Sequence, residues 1–273
     1  MSSKMDLGLG ENELTEEEKG WAATLQLQAQ KDGILIENTF MLHAFALLGK
    51  GDLKKGLFRA KHWNEICAQW GLRETAQDAA TAWMRNSTFE EFFLTAGRDE
   101  EGRLMMCTKM ATFIPKDSLK TDEDWRFIMR ALSDNMRAMT PTLRDVRNGA
   151  CIVSWMKGYG WRNVNPSVER KLASIYQDSY PVKMKRIVVI DPPLIFRAVM
   201  KVFSVFMKKK LIDRIVLMSE EEVRSGNKLP LDQTSADLGG SMKENWWDVR
   251  ASRLATHHAS VQALGPLVPL QGV

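Results

Sequence analysis

The histidines are the side chains best suited to acid–base or metal chemistry, and they lie apart along the chain. They are His43, His62 and the adjacent pair His257-His258. No cysteine or carboxylate repeats beside them at the spacing of a metal site. Since the pair lies close to a C-terminal end that we expect to be frayed, we predict that it is solvated and binds no metal.

The cysteines and a glycine pair also lack the context of a catalytic site. Cys67, Cys107 and Cys151 are far apart in the sequence, so their spacing indicates neither a disulfide framework nor a metal-binding motif. Gly158 and Gly160 follow a predicted strand, but the third glycine of a dinucleotide-binding loop is missing. The motifs GxSxG, HExxH and GxxxxGK[ST] do not occur. We therefore predict a protein that is not an enzyme and has no cofactor.

Basic residues are concentrated in one segment, which suggests an anionic partner. Residues 183–214 contain nine Lys and Arg against two Asp and carry a net charge of +7, whereas the whole chain carries +4 and residues 1–20 carry −4. Such a segment could bind nucleic acid or an anionic membrane. Its aromatic residues do not alternate with the basic ones, which argues against base stacking. We therefore expect a membrane surface and no nucleic acid.

Within this segment, residues 194–208 predict an unusually apolar helix. Arg197, Lys201, Ser204 and Lys208 recur at spacings of four, three and four residues and form one narrow polar stripe. The helix is therefore either a buried core helix or a movable cover over an apolar cavity. An opening cover would expose Phe and Met beside lysines, which suits contact with an anionic bilayer. The 16 methionines of the chain fit either an irregular core or an adaptable binding surface.

The predicted secondary structure around this helix changes near residue 100, from helices alone to alternating strands and helices. A capping box, Thr15 with Glu18, starts the first helix of a front that we expect to be all helical, with a short last helix starting at Ser87 and Glu90. Strands and helices then alternate, which predicts an α/β protein with a mostly parallel sheet. The predicted strands are 103–114, 150–156, 187–190 and 215–218.

The composition is that of a globular protein, with 44% apolar and 26% charged residues. No apolar run approaches the roughly 20 residues that a membrane-spanning helix needs. The polar, acidic N-terminus does not resemble a signal peptide. These features predict a cytoplasmic protein that associates with membranes only transiently.

The order of motifs from Asn165 to Met218 resembles a known family. A helix is followed by Tyr180-Pro181, an apolar strand, a turn with two prolines and a Phe-containing helix; Leu229-Pro230 and Gly239-Gly240 come later. This order resembles the CRAL-TRIO lipid-binding domain, and the strand GACIVSWMKGYGW resembles an earlier strand of the family. The N-terminal helices fit less specifically, because Ala-Phe-Ala-Leu-Leu at residues 44–48 replaces the usual Phe-Leu-Arg-Ala-Arg.

The resemblance implies a CRAL-TRIO fold, a mostly parallel sheet whose hydrophobic pocket is closed by a gating helix, preceded by a small helical bundle. The implied division of the chain is a disordered N-terminus, a helical bundle, a lipid-binding domain and a C-terminal tail. Their bounds are 1–12, 13–95, 96–255 and 256–273.

Within the family, the sequence of this region most resembles that of the branch of tocopherol-transfer and retinaldehyde-binding proteins. This implies binding of one hydrophobic molecule, such as a retinoid or tocopherol, and its transfer between membranes. Val182 stands where the phosphatidylinositol-transfer branch usually has an acidic residue, which weighs against phosphatidylinositol as the cargo. A phospholipid-transfer protein, or a regulatory module that recruits a protein partner, remain as alternatives.

Two sets of site residues follow from the predicted helix and the resemblance. We expect strand residues to line the cavity and the gating helix to close it: Met105, Cys107, Met110, Ile152, Ser154, Ile195, Phe196, Val199, Met200 and Phe203. The resemblance further implies that Lys183, Lys210 and Arg214 contact phosphoinositide headgroups. Lys55 or Arg59 lies near the fourth basic position of that site.

Overall fold

Helices make up the first third of the chain in the computed structural model, which describes residues 10–176, 178–203, 205, 209–226 and 228–268. Thr15 caps the first helix, and Glu18 completes the predicted capping box. Asn38 and Asp52 cap the next two helices by accepting hydrogen bonds from backbone amides. The four helices before the first strand are α1 (Glu16–Lys31), α2 (Thr39–Gly49), α3 (Leu53–Trp70) and α4 (Gln77–Arg85).

A five-stranded sheet follows, with its strands in chain order from one edge to the other. The first pair of strands is antiparallel and the others are parallel, so the prediction of a mostly parallel α/β sheet is confirmed. The strands are β1 (Phe93–Leu94), β2 (Met105–Lys109), β3 (Ala150–Trp155), β4 (Met184–Ile190) and β5 (Ile215–Met218).

Two sequence predictions fail between residues 87 and 118. The Ser87/Glu90 pair starts no helix, because residues 87–92 form turns that lead into β1. The strand predicted for 103–114 ends at Lys109, where a 3-10 turn at Met110–Thr112 redirects the chain. Both differences arise where Phe89, Phe92 and Phe113 pack together, because tertiary contacts between aromatic rings outweigh local preference.

The remaining helices connect and flank the strands. Within the described residues, no helix is both long and apolar enough to cross a membrane. These helices are α5 (Pro115–Ser118), α6 (Asp122–Met139), α7 (Leu143–Asn148), α8 (Pro166–Tyr176), α9 (Phe196–Phe203), α10 (Lys209–Ile212), α11 (Glu220–Arg224) and α12 (Trp246–Leu264).

A buried network of charged groups fixes α12 against α6. The Asp134 carboxylate is fully buried and lies 2.8 Å from Arg137 and 3.2 Å from Arg130. Arg250 of α12 donates from Nε to the side-chain oxygen of Asn135 at 2.7 Å. The charges are therefore paired where they are removed from water.

The C-terminal segment is more ordered than the sequence predicted. Residues 256–264 belong to α12, so the predicted tail begins too early. His257 is buried and packs edge-on against Phe40 at 4.7 Å between ring centroids, so its predicted solvation is wrong. Burial, followed by the charge of Arg137, lowers the pKa of His257 to about 3, so its ring is neutral.

Gly149 sets the start of β3 and brings it close to β4. Its φ is 75° and its ψ −175°, and a Cβ placed there would lie 2.6 Å from the Lys183 carbonyl oxygen. We expect Gly149→Ala to lower the free energy of unfolding by about 2 kcal/mol, because alanine strains this backbone conformation. Urea denaturation measures the change. Gly20→Ala, with open space around its Cβ, is the control; equal effects of the two changes would contradict the prediction.

Candidate functional site

Successive residues of β2 and β3 lie on opposite faces of the sheet, and one face borders a cavity. Met106 and Thr108 of β2 line this cavity, with Ile152 and Ser154 of β3 beside them. The register pairs Met106 with Ile152 and Thr108 with Ser154, so the four side chains form two adjacent rows.

The cavity has a volume of about 250 Å³ and lies between this face of the sheet and the helices α6, α8 and α10. Its lining is apolar apart from two hydroxyl groups and one carboxyl group. The lining residues from the surrounding elements are Phe89, Phe92, Met110, Phe113, Ile128, Leu132, Glu169, Leu172, Ala173, Met184, Ile187 and Leu211.

The strand residues expected to line the pocket divide between the two faces. Met110, Ile152 and Ser154 lie at the cavity. Met105 and Cys107 do not: they pack on the opposite face in a separate hydrophobic cluster. Their predicted position is wrong by one residue, since Met106 and Thr108 occupy the cavity face. Because Met105 to Thr108 are all buried, the sequence offers no polar alternation that would distinguish the faces.

The start of α9 packs next to the cavity. Ile195 and Phe196 are half-buried and join a cluster that includes the lining residues Met110 and Ile187. Met200 lies on the same helix and is half-buried. The side chains of Arg197, Val199 and Phe203, and residues 204 and 206–208, lie outside the described residues, so closure of the pocket by the whole predicted helix stays a prediction.

Glu169 is a cavity residue that the sequence analysis did not identify. It lies in the first turn of α8, and its Oε1 atom is buried with no hydrogen-bond partner within the described residues. Burial raises the pKa of Glu169 to about 7. Burial, and then the charge of Glu169, also raises the pKa of the nearby Tyr159 phenol. The spacing of Glu169 from Leu172 and Ala173 places all three on one helical face, and this was the available signal.

The predicted basic site lies near the N-terminal helices. Burial, followed by the charges of Lys50, Lys185, Arg59 and Lys210, lowers the pKa of Lys183 to about 8. The Lys183 ammonium donates to the Leu47 carbonyl at 3.3 Å. These repelling cations, together with Arg214 beside Met184, form the basic cluster, defined as Lys50, Arg59, Lys183, Lys185, Lys210 and Arg214.

Arg59 is the better of the two candidates for a fourth basic position. Its Nη2 lies 3.2 Å from the Asp178 carboxylate, while its buried Nη1 has no hydrogen-bond partner within the described ranges. Lys55 pairs instead with Asp52 at 2.5 Å. Lys210 is exposed, and Arg214 donates to the Met184 carbonyl. The arrangement leaves cationic groups of α3, β4 and α10 close together.

Comparison with known proteins agrees with this geometry. The model of the CRAL/TRIO domain matches residues 89–240. The chain belongs to the CRAL/TRIO domain family. The members of this family are lipid-binding and lipid-transfer domains. The matched residues of this chain include the sheet, α8 and α9.

Curated CRAL/TRIO relatives are distant. Proteins called alpha-tocopherol transfer protein-like, from Homo sapiens and Pongo abelii, are each 23% identical over 149 residues, which are 54% of this chain and 42% of the relative. Tyrosine-protein phosphatase non-receptor type 9 of Homo sapiens is 23% identical over 116 residues, 42% of this chain and 19% of the phosphatase. The match thus spans less than half the length of these relatives.

A solved structure supports the CRAL/TRIO fold over nearly the whole chain. The crystal structure of Sfh5 superposes with a TM-score of 0.59 and 10% sequence identity, covering 94% of this chain and 99% of that one. At this identity the likeness concerns the fold alone.

Proposed function

We propose that this protein encloses one hydrophobic, lipid-like molecule and transfers it between membranes without changing it chemically. The observation that carries the proposal is the apolar cavity between the sheet and α6, α8 and α10. A ligand would gain about 25 cal/mol for each Å² of apolar surface removed from water, less the cost of its ordering. Membership of the CRAL/TRIO family supports the same function.

The size of the cavity suggests how the ligand enters. A dry cavity of about 150 Å³ accepts benzene, and pockets for drug-sized ligands measure about 300–1,000 Å³. The observed 250 Å³ lies between these values. A tocopherol or retinoid would therefore require an enlarged cavity, and outward movement of α9 and α10 is the change we propose. Leu194 and Val205, which flank α9, are exposed and would contact the membrane during this opening.

The basic cluster is the surface by which we propose that the protein docks on anionic lipid. The mutual repulsion of its cations would be relieved by a phosphate-bearing headgroup. The Nη1 atom of Arg59, which has no partner in the part of the chain that the structure describes, supplies a donor for such an anion. We propose that Lys183, Lys210 and Arg214 lie at this docking surface. The lipids to be tested for binding are phosphoinositides.

Extraction of the purified protein with organic solvent tests the carrier function directly. We expect native mass spectrometry to show one bound apolar molecule, or the empty protein to bind one equivalent of a fluorescent retinoid, tocopherol or phospholipid probe. No co-purified lipid and no saturable binding of any probe would contradict the carrier function and favour a module that recruits a protein partner.

Filling the cavity should compete with the ligand. Ala173 lines the cavity from α8, so Ala173→Phe places a ring in the space that the ligand would occupy. We expect the affinity for the probe to fall about tenfold or more. The matched control is Ala251→Phe at an exposed position of α12, which should bind as the parent does. Unchanged affinity in a folded Ala173→Phe protein would show that the ligand binds elsewhere.

A further inference from the structure

Glu169 is held at the cavity by the local structure of α8. Asn165 caps this helix, with its side-chain oxygen accepting from the amides of Ser167 and Val168 at 3.2 and 3.3 Å. The cap fixes the first turn, and the spacing of three and four residues then puts Glu169 on the face of Leu172 and Ala173. All three residues line the cavity.

The carboxyl group of Glu169 differs from the buried carboxylates elsewhere in the described structure. Asp134 contacts Arg130 and Arg137, Asp99 lies 2.6 Å from Arg103, and Asp145 lies 2.7 Å from Arg98. The fold thus pairs its buried carboxylates with arginine, whereas Oε1 of Glu169 is buried without a partner in the described residues. Burying a carboxyl oxygen without a partner is unfavourable, and no contact among the described residues offsets this cost at Glu169.

Only neutral polar groups accompany this carboxyl group at the cavity. Thr108 donates its hydroxyl to the Val153 carbonyl at 3.3 Å, and Ser154 lies beside it on the next strand. The phenol of Tyr159 is close enough to respond to the charge of Glu169. Tyr159 itself does not line the cavity, and the lining side chains other than Thr108, Ser154 and Glu169 are apolar. The cavity therefore combines an apolar lining with one carboxyl group and two hydroxyl groups, and the carboxyl group alone among them can carry a charge.

We infer that Glu169 hydrogen-bonds a hydroxyl group of the enclosed molecule, so that the cargo is a lipophilic alcohol or phenol. This inference rests on the proposed carrier function and narrows its substrate class. A hydroxyl group can donate to a carboxylate and accept from a neutral carboxyl group, so it pairs with Glu169 in either protonation state. A hydrocarbon would leave Glu169 unpartnered, and a fatty acid would place a second acidic group beside it.

Ligands matched in length test the inference on the full chain. Displacement of a fluorescent apolar probe is measured with dodecanol, dodecane, dodecanoic acid and dodecylamine. We expect the parent to bind dodecanol about tenfold more tightly than dodecane, the effect of one buried hydrogen bond together with relief of an unpaired polar group. Dodecanoic acid and dodecylamine should bind more weakly than dodecanol.

Two substitutions test whether the preference for dodecanol over dodecane depends on Glu169. Glu169→Leu should reduce the ratio of dodecanol to dodecane affinity to about one while retaining dodecane binding, because the apolar wall is kept. Glu169→Gln, which keeps donor and acceptor groups, should retain most of the preference. Glu65→Leu, at an exposed position of α3, is the control and should leave the ratio unchanged.

The possible results separate this inference from the proposed function. Equal binding of dodecanol and dodecane by the parent, or a preference that persists in Glu169→Leu, would overturn the role of Glu169 and leave the carrier function intact. A preference for dodecylamine or dodecanoic acid would overturn the assignment of an alcohol. If no ligand displaces the probe and none shows saturable binding, both the carrier function and the inference fail.

Discussion

Replacing Lys183, Lys210 and Arg214 together by alanine is expected to weaken binding to phosphoinositide-containing vesicles about 100-fold at low salt. Each base near an anionic membrane contributes about 1 kcal/mol, and the sum of three corresponds to this factor. Salt screens the interaction, so parent and variant should converge as ionic strength rises. Vesicle sedimentation and probe transfer between vesicles measure the effect, while affinity for the enclosed probe should stay unchanged because none of the three side chains lines the cavity.

The control for this variant removes the same charge elsewhere. Lys31, Lys120 and Lys243 are exposed and lie outside the basic cluster, so their triple alanine variant should retain most vesicle binding. Equal losses of vesicle binding in the two variants would show that binding depends only on the net charge of the protein. Transfer at the parent rate after removal of Lys183, Lys210 and Arg214 would mean that the protein docks through another surface.

The predicted strands illustrate which parts of the fold can be obtained from sequence. The apolar run in β4 was recognised because Asp191-Pro192-Pro193 ends it, and β5 was recognised because its four apolar residues lie between polar and charged ones. β1 was missed, since two residues carry no usable periodicity. α12 was not predicted as a helix, and its end was assigned to the tail that begins at residue 256. Tertiary partners bury the side chains of Arg250, Arg253 and His257 in this helix.

The candidate site was less accessible to prediction than the sheet. Assigning Met105 and Cys107 to the cavity failed because both faces of β2 are buried, so that residue type no longer indicates direction. Glu169 was missed because acidic residues are common in the first helical turn, where they usually face water. Leu211 was missed because it lies beyond the periodic stretch 194–208, in a segment too short to show a pattern, and only the packed structure brings it to the cavity.

Glu169→Gln is expected to stabilise the empty protein at pH 8 by about 3 kcal/mol relative to the parent. The pKa of Glu169 is raised to about 7 from 4.5 by burial, so the folded state keeps a proton that the unfolded chain releases as the pH rises through 4.5. The parent therefore loses stability between these two values and carries the full cost of burying a carboxylate above pH 7. The amide of the variant does not titrate and avoids this cost.

The pH profile separates this effect from a general change in packing. Urea denaturation of delipidated protein measures the free energy of unfolding at pH 5 and pH 8. The difference in this free energy between the parent and Glu169→Gln should be small at pH 5 and large at pH 8. Comparing the two pH values cancels any pH-independent contribution of the amide. Among the described residues, Tyr159 is a titratable group that responds to the charge of Glu169, and its raised pKa keeps the phenol neutral over this range. The cavity residues contributed by β2, β3, β4, α6 and α10 are uncharged. Exposed Glu65→Gln should show no such pH dependence. A difference between parent and Glu169→Gln that is equal at both pH values would mean that Glu169 is ionised and solvated in the folded protein.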